Sequence, residues 1–419
     1  MAIVPAHLRL PFPMPPPDSL VVRVLLTALV AFGPLSTDLY LPSLPALVGV
    51  FDTDIATVQL TLSVFLVGFA VSQLVYGPVS DRFGRRPALL GGIAIYLVAS
   101  VACVFADSVG QLIVARFFQA LGACCGPVVA RAVVRDVFER DRAATVLAYM
   151  SMAMTLAPAV GPVLGGMLTQ VFGWRANFVT LAVIAVAVLA ATATLLRETN
   201  VHRDAEALRP SRLLTNYLRL FRDRGFGGHT LTAACTYSGI FAFISGSSFV
   251  LIERVGLSPA AYGLSFAVVV LGYTSGSFLA GRLTLRVGGH RMVRLGTAVS
   301  SVGGLVGAGL AWSGIVSVPA IVLPLFVFNL GAGLTLPNAM AGAVGPYPTM
   351  AGLASALLGF AQMGLAAVVG ILVGHLHDGT SRPMMGAIAA VALGAAVLHR
   401  LLVTPPPARP PGTGGAPAR

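Results

Sequence analysis

Charge is scarce in this chain of 419 residues, of which only 10% are charged, and lysine is absent altogether. Soluble domains carry about 25% charged residues, so this shortage excludes an ordinary soluble protein. Hydrophobic residues make up 56% of the chain and form apolar runs long enough to span a membrane as helices. A β-barrel would show shorter, alternating segments of about ten residues. The composition therefore predicts an all-α membrane protein.

The motifs of common enzyme active sites are missing as well. The sequence contains no GxxxxGK[ST] phosphate loop, no HExxH and no GxSxG. We therefore expect no catalytic activity and no cofactor, and any energy that the protein needs would come from an ion gradient or from a separate subunit. The segment His375–Asp378 lies on a predicted outer loop without convergent ligands, and we expect no metal site there.

The net charge of +12 does not predict a nucleic-acid partner. The basic residues flank apolar runs, and no basic patch interleaved with aromatic residues occurs on a soluble domain. The four cysteines all lie within apolar runs. Such positions are typical of buried small hydrophobic residues rather than of disulfides or metal ligands.

We predict twelve membrane spans, mostly joined by short connections. Arginine sets their orientation, because cytoplasmic loops of membrane proteins are rich in basic residues. With the N-terminus inside, all but four of the 27 arginines fall in cytoplasmic segments. Both termini are therefore predicted to be cytoplasmic. The predicted spans are 21–44, 56–78, 87–106, 109–131, 143–168, 176–196, 228–251, 260–281, 291–312, 317–338, 349–373 and 383–403.

A longer, arginine-rich connection divides the chain into two halves of six spans each. Internal repetition supports this division, since glycine and arginine positions recur at one constant spacing, and such duplication is typical of secondary transporters. The matched pairs are Gly68 and Gly272, Gly77 and Gly281, Arg82 and Arg286, and Gly84 and Gly288. The predicted parts are a disordered N-terminal tail at 1–19, a bundle at 20–197, a cytoplasmic linker at 198–226, a second bundle at 227–403 and a disordered tail at 404–419.

The loop Gly77–Pro87 resembles the signature between spans 2 and 3 of the major facilitator superfamily. Arg116–Gly122 is similar to the span-4 motif of that superfamily, and Ala157–Gly166 is similar to the span-5 motif of its drug/proton antiporters. Further segments resemble the Bcr/CflA branch, the bicyclomycin and chloramphenicol resistance-type exporters. These segments are Asp38–Pro42, Ala130–Asp136, Pro337–Ala339 and Gly352–Gly359.

This resemblance covers the chain from residue 20 to residue 403 and implies a fold and a function. The implied fold is twelve helices in two pseudo-symmetric six-helix bundles. The implied function is export of small hydrophobic drugs in exchange for protons, by a monomer in the lipid bilayer of a bacterial inner membrane. The alternative is a uniporter or symporter of a small metabolite such as a nucleoside or sugar, which would need more polar groups in its cavity. A membrane enzyme or a receptor would need a catalytic cluster or a soluble domain, and neither is evident.

Asp38 and Arg116 are the charged residues that we place well inside predicted spans. Each lies about seven residues, or about 10 Å, from the outer end of its span. A charge within the membrane is costly and points to function, so we expect the two to share a cavity and to interact directly or through water. An apolar site favours the neutral carboxyl and a nearby guanidinium favours the ionised one, which suits proton coupling. The alternative is a static ion pair that holds spans 1 and 4 together.

One departure from the family pattern concerns the substrate. Some multidrug members have a second acid about two turns before the aspartate of span 1, a spacing set by the helical repeat. This chain has Val30 there. A mechanism with two acids is therefore not expected, and neutral or zwitterionic substrates are favoured over lipophilic cations.

The loop Gly77–Pro87 has a second predicted role as a cytoplasmic gate. Its aspartate is expected to accept hydrogen bonds from the N-terminal NH groups of a neighbouring helix. Its arginines are expected to pair with acids of the same half and so to hold the outward-open state, while its glycines allow close packing. The alternative role is only to anchor the loop in the cytoplasm. The predicted gate residues are Gly77, Asp81, Arg82, Gly84, Arg85, Arg86 and, by the resemblance, Asp136.

Two further sets of residues complete the predicted site. In span 5, glycines allow close helix approach and prolines bend the helix, which predicts a kinked wall that limits proton leak, or else ordinary packing. The members are Pro158, Gly161, Pro162, Gly165 and Gly166. A pocket for varied drugs needs aromatic residues and a few polar groups. The substrate-binding candidates are Tyr40, Phe65, Gln119, Tyr237, Phe241, Asn329, Asn338 and Gln362.

Overall fold

The computed structural model describes residues 15–16, 18–201, 203–207 and 210–403. Within these residues every regular element is a helix and there is no strand. The predicted C-terminal tail lies outside the described residues, as does most of the predicted N-terminal tail. The four cysteines are buried and unpaired.

Sixteen α-helices follow one another along the described chain. They are α1 (Leu20–Val30), α2 (Phe32–Asp38), α3 (Leu44–Val50), α4 (Ile55–Phe83), α5 (Arg85–Val104), α6 (Val109–Ala123), α7 (Cys125–Val137), α8 (Arg140–Phe172), α9 (Arg175–Leu195), α10 (Pro210–Arg222), α11 (Arg224–Ser248), α12 (Pro259–Val287), α13 (Gly289–Trp312), α14 (Val318–Val344), α15 (Ala351–His375) and α16 (Arg382–Leu402).

The helices agree with the predicted number of spans. Eleven helical segments of the described chain are long and apolar enough to cross a membrane, with α6 and α7 together forming one of them. The bent pair Leu20–Val30 and Phe32–Val50 adds a twelfth if it is one span. Following the predicted orientation, the side of the molecule that carries loop 77–87 is called the cytoplasmic side, and the opposite side is called the outer side.

The first span is broken, where the sequence pattern predicted one continuous helix over 21–44. The chain bends by 40° between α1 and the segment that follows it. It then leaves the α-helix again at Leu39 and makes a short 3₁₀ turn at Leu41–Ser43. Pro34 and Pro42 explain the departures, because proline lacks the NH group that a helix interior requires. The second break falls directly after Asp38.

Contacts between the two predicted halves run mainly through α4 against α15 and α8 against α12. On the outer side these contacts bring backbones together: a Cβ atom on Gly263 of α12 would lie 2.6 Å from the carbonyl oxygen of Pro162 in α8. In addition, Gln59 Nε2 of α4 donates to the carbonyl oxygen of Ser245 in α11 at 3.0 Å. The outer ends of the halves are therefore closed against each other in this structure.

Candidate functional site

Asp38 ends α2 and lies at the border between the two halves. Its side chain is only 2% exposed, and Thr37 Oγ1 donates to Asp38 Oδ1 at 3.0 Å. The helix α8 of the same half packs closely here, since a Cβ atom on Gly161 would lie 3.0 Å from the Cβ atom of Asp38. The 3₁₀ turn Leu41–Ser43, which follows Asp38, contacts α11 and α12 of the second half. Asp38 thus faces the seam through which a substrate would have to pass.

Arg116, by contrast, is enclosed within the first half. It is fully buried, and Nη1 donates to the carbonyl oxygen of Ser36 at 2.9 Å and to Gln119 Oε1. Its guanidinium lies over the rings of Phe65 at 4.3 Å, Tyr40 at 5.1 Å and Phe178 at 5.9 Å. Such cation–π contacts stabilise a desolvated cation. Arg116 is therefore held by an aromatic cage, by Gln119 and by backbone, and no acid of the described residues pairs with it.

Hydrogen bonds extend from Arg116 to two further helices. Gln119 Nε2 donates to Ser100 Oγ of α5 at 2.8 Å. The hydroxyl groups of Tyr96, also in α5, and Ser36, in α2, share a hydrogen bond of 2.7 Å. Since α2, α5 and α6 all contribute, the network fixes the last turn of α2 and hence the position of Asp38.

The predicted contact between Asp38 and Arg116 is not made directly. The described residues contain no ion pair between them, and the link runs through the backbone of the last turn of α2, where Arg116 binds Ser36. Residues two apart on a helix point in nearly opposite directions, because each step turns by about 100°. Ser36 therefore faces the network of the first half, while Asp38 faces the seam. The sequence placed Asp38 and Arg116 at the same depth in the membrane, but depth alone does not tell whether Asp38 lies on the side of α2 that faces Arg116.

We expect Arg116→Lys to lower the thermal stability of the purified protein and its efflux rate by about tenfold or more. Lysine keeps the charge but loses the planar group that fills the cage, and hydrogen bonds to charged groups contribute about 1.5–3 kcal/mol. The measurements are a melting curve and initial efflux rates. Arg175→Lys is the matched control, because Arg175 also binds backbone carbonyl oxygens but is exposed. Wild-type values for Arg116→Lys would show that the cage needs only a positive charge.

The gate loop forms one of the predicted contacts. Arg85 is buried and donates from Nε to Asp136 Oδ2 at 2.8 Å and from Nη1 to Asp81. The other two arginines behave differently: within the described chain neither makes an ion pair, Arg82 stacks on the adjacent ring of Phe83, and Arg86 donates to a backbone carbonyl. Only one arginine of three therefore pairs with acids as predicted.

Two further expectations for the gate loop are wrong. Asp81 binds Arg85 instead of a helix N-terminus, and the NH groups that begin α5 are bound by Glu198, which the sequence reasoning missed. Gly77 has no neighbouring atom within 4 Å of its would-be Cβ, so it mediates no close packing among the described residues. The ion pairs are also present while the outer side is closed, so their formation does not mark the outward-open state.

The glycines of span 5 bring α8 against backbone on two sides. A side chain at Gly165 would strike the carbonyl oxygen of Leu39, and one at Gly166 would strike that of Pro259 in the second half. Neither contact can be relieved by a rotamer change, because the neighbour is backbone. Pro158 and Pro162 lie inside α8, which continues through both of them as one helix.

The substrate-binding candidates lie in different surroundings. Tyr40, Phe65 and Gln119 surround Arg116, and Tyr237 lies in α11 of the second half. The two asparagines donate to carbonyl groups of their own helix α14, and Asn338 also accepts from Thr284 at 2.9 Å. The remaining two, Phe241 and Gln362, are buried in α11 and α15. Tyr237 lies on α11, one of two helices of the second half that contact the turn after Asp38. Tyr262 lies on the other, α12, and was not predicted.

Comparison with known proteins places these features in context. Residues 26–371 match the model of the Major Facilitator Superfamily. The chain is 32% identical to the multidrug resistance protein D of Escherichia coli, over 81% of this chain and 84% of that protein. It is 29% identical to a bicyclomycin resistance protein homolog of Haemophilus influenzae (86% and 91% covered) and 30% identical to a chloramphenicol resistance protein of Pseudomonas aeruginosa (88% and 88% covered).

Solved structures show a similar fold. A D-xylose–proton symporter superposes with a TM-score of 0.72 at 14% identity, covering 92% of this chain and 98% of the symporter. A partially occluded, inward-open form of the xylose transporter from E. coli gives a TM-score of 0.69 at 12% identity, with the same coverage. At this identity the similarity concerns the fold alone.

Proposed function

We propose, given that this chain belongs to the Major Facilitator Superfamily, that it exports small hydrophobic drugs in exchange for protons and that Asp38 carries the proton. The resistance proteins among its relatives support drug export. The observation that carries the proposal is the position of Asp38, an acid buried at the seam between the halves with no ion-pair partner among the described residues. A static ion pair would leave no free carboxyl group at that seam.

Drug and proton would be exchanged because both compete for the carboxyl group of Asp38. An ionised carboxylate without a cation is costly in an apolar interior, so the carboxyl either holds a proton or meets a polar group of the drug. The turn after Asp38 contacts α11 and α12 of the second half, which carry Tyr237 and Tyr262. A drug that binds between Asp38 and these helices would contact both halves and displace the proton. The halves would then rock around this site, as in other transporters with duplicated bundles.

Arg116 has a supporting part in this proposal. Its hydrogen bond to the carbonyl group of Ser36 fixes the last turn of α2, and the C-terminal end of a helix favours a neighbouring cation. We therefore assign Arg116 to the positioning of Asp38. Energy would come from the proton gradient without a cofactor.

The setting of the transporter is part of the same proposal. The excess of arginine on one side supports cytoplasmic termini, and the resistance proteins of bacteria support the bacterial inner membrane. The chain would act there as a monomer within the lipid bilayer. The alternative of a metabolite uniporter or symporter has the same fold, and a direct transport assay separates the two.

The test is drug uptake into inverted vesicles with an imposed pH gradient, acid inside. We expect chloramphenicol or bicyclomycin to accumulate against its gradient and to leak out when an uncoupler removes the pH difference. Vesicles without the protein give the background. Accumulation that survives the uncoupler would contradict proton exchange. Equilibration of a sugar or nucleoside without accumulation, or its proton-driven loss from the acidic interior, in place of drug uptake would favour the metabolite carrier.

A further inference from the structure

A short segment that follows α9 lies on the gate loop. We call residues 198–201 and 203–204 the strap. Asn200 Nδ2 donates to the carbonyl oxygens of Asp81 at 2.9 Å and Ser80 at 3.3 Å. The backbone NH of Asp204 also donates to the carbonyl oxygen of Asp81, at 3.1 Å. Both carbonyl groups lie in the last turn of α4, where a helix leaves carbonyl groups without intrahelical donors. That of Ser80 also accepts from the backbone NH of Gly84, and that of Asp81 accepts from the strap. The strap therefore completes the C-terminus of α4.

Glu198, the first residue of the strap, completes the N-terminus of the next helix. Its Oε1 accepts from the backbone NH of Arg85 at 2.8 Å, and its Oε2 accepts from that of Arg86 at 3.2 Å. Gly84, which precedes α5, offers no side-chain cap and has a φ of +108°, and a Cβ atom there would strike Glu198. A carboxylate suits this position, because the first NH groups of a helix carry partial positive charge.

The strap also reaches the ion pairs of the gate. Thr199 Oγ1 donates to Asp136 Oδ2 at 3.3 Å, and Arg85 Nε donates to the same oxygen atom at 2.8 Å. The ends of α4, α5 and α7 thus meet the strap at one place. Movement of the strap would disturb all three.

The other end of the same linker is attached to the second half. Leu220 of α10 is buried in a cluster with Phe226 and Ala233 of α11 and Leu358 of α15. The chain between Asp204 and the start of α10 at Pro210 can span at most about 20 Å when extended. The second attachment, Leu220, lies about 15 Å further along α10. Tyr217 of the same helix donates to the carbonyl oxygen of Leu74 in α4 at 3.4 Å, so the linker is fixed to both halves.

We propose that Glu198 is a positioning residue of the cytoplasmic gate, which ties the linker to the gate loop so that the linker limits how far the halves separate on the cytoplasmic side. This role rests on the rocking of the halves given under the proposed function, but not on Asp38 as the proton carrier. Loss of Glu198 would free the start of α5 and loosen the strap. The cytoplasmic ends would then move further apart.

The test is a distance measured by pulsed electron paramagnetic resonance between spin labels at Glu139→Cys and Leu285→Cys. These exposed positions lie at the cytoplasmic ends of opposite halves, Glu139 between α7 and α8 and Leu285 in the last turn of α12, and the four native cysteines are buried. We expect Glu198→Ala to shift the distance distribution to longer values and to broaden it. The label distances of Glu198→Gln should lie between those of the wild type and Glu198→Ala, because the amide oxygen of glutamine still accepts one hydrogen bond. Efflux by Glu198→Ala should show a several-fold lower kcat with unchanged KM.

Asp54→Ala is the matched control, because Asp54 caps α4 on the outer side through Thr57, at 2.9 Å to its backbone NH. We expect no change in the cytoplasmic distance for this variant. A wild-type distribution for Glu198→Ala would overturn the proposal, and so would an equal change in Asp54→Ala, which would indicate general destabilisation. If Glu198→Ala does not fold, the decision falls to Glu198→Gln. Repeating the series with Asp38→Asn separates the two proposals, since the effect of Glu198 should persist without proton coupling.

Discussion

Replacing Asp38 by asparagine should abolish uphill drug efflux driven by a pH gradient. Asparagine has the same shape, and its side-chain oxygen can still accept the hydrogen bond from Thr37. It cannot gain or lose a proton, so the drug gradient in inverted vesicles should fall to that of vesicles without the protein. Exchange of labelled for unlabelled drug, which needs no proton, should continue. This pair of assays distinguishes lost coupling from lost binding.

Asp107→Asn is the control for this experiment. Asp107 lies on an exposed outer connection, where its distance to Arg175 is 3.9 Å, and interactions of that kind contribute little. We expect wild-type efflux from it. Uphill efflux by Asp38→Asn would place the proton on another group. Loss of both drug exchange and efflux would show that Asp38 is required for drug binding itself and not only for proton coupling.

The geometry also bears on Asp38→Glu. The extra methylene group would push the carboxyl towards the seam, because Gly161 leaves little room on the side of α8. A glutamate keeps the titratable group, so some coupling should remain. The asparagine variant tests whether residue 38 must be able to bind a proton, and the glutamate variant tests whether its carboxyl group must lie at one fixed position.

Gly165→Ala should cause the second large loss. The added methyl group would strike the carbonyl oxygen of Leu39, in the non-helical turn directly after Asp38. Overpacking commonly costs about 1–3 kcal/mol and costs more where the neighbour is backbone that cannot change rotamer. We expect a lower melting temperature and efflux near background, because α2 would have to move away from α8 and carry Asp38 with it.

The matched control for this change is Gly91→Ala in α5. A Cβ atom there has no neighbour within 4 Å in the described structure, so the substitution should be neutral or stabilising by up to about 1 kcal/mol, the helix preference of alanine over glycine. Both variants add one methyl group to a glycine of a membrane helix. Equal behaviour of the two would show that the contact between Leu39 and Gly165 has room to relax.

Much of the fold was predictable because its signals are local. Apolar runs gave the spans, and the charged loop 77–87 marked a turn between two of them. The pairing of Arg85 with Asp136 was also predicted, through the family resemblance. The break after Asp38 was not, although Pro42 was visible, because a proline permits several local geometries and packing selects among them.

The partners of Arg116 and of the start of α5 could not be predicted in the same way. Arg116 binds a backbone carbonyl, and every residue has one, so the sequence contains no mark of it. Glu198 lies more than a hundred positions after Arg85, at the end of another span. The available clue was an acid directly after the sixth predicted span, which becomes informative only when the ends of α5 and α9 are known to be neighbours.

The start of α13 differs from that of α5 in a way that bears on mechanics. Gly288 precedes α13 as Gly84 precedes α5, and neither glycine offers a side-chain cap. The start of α5 is bound by Glu198 and, through Arg85, by Asp136. The start of α13 instead packs through His290 on the ring of His399, with 4.8 Å between the ring centroids, and nearby Leu285 is 94% exposed. During rocking, the cytoplasmic end of the first half would stay rigid, and the start of α13 in the second half would be the more flexible of the two.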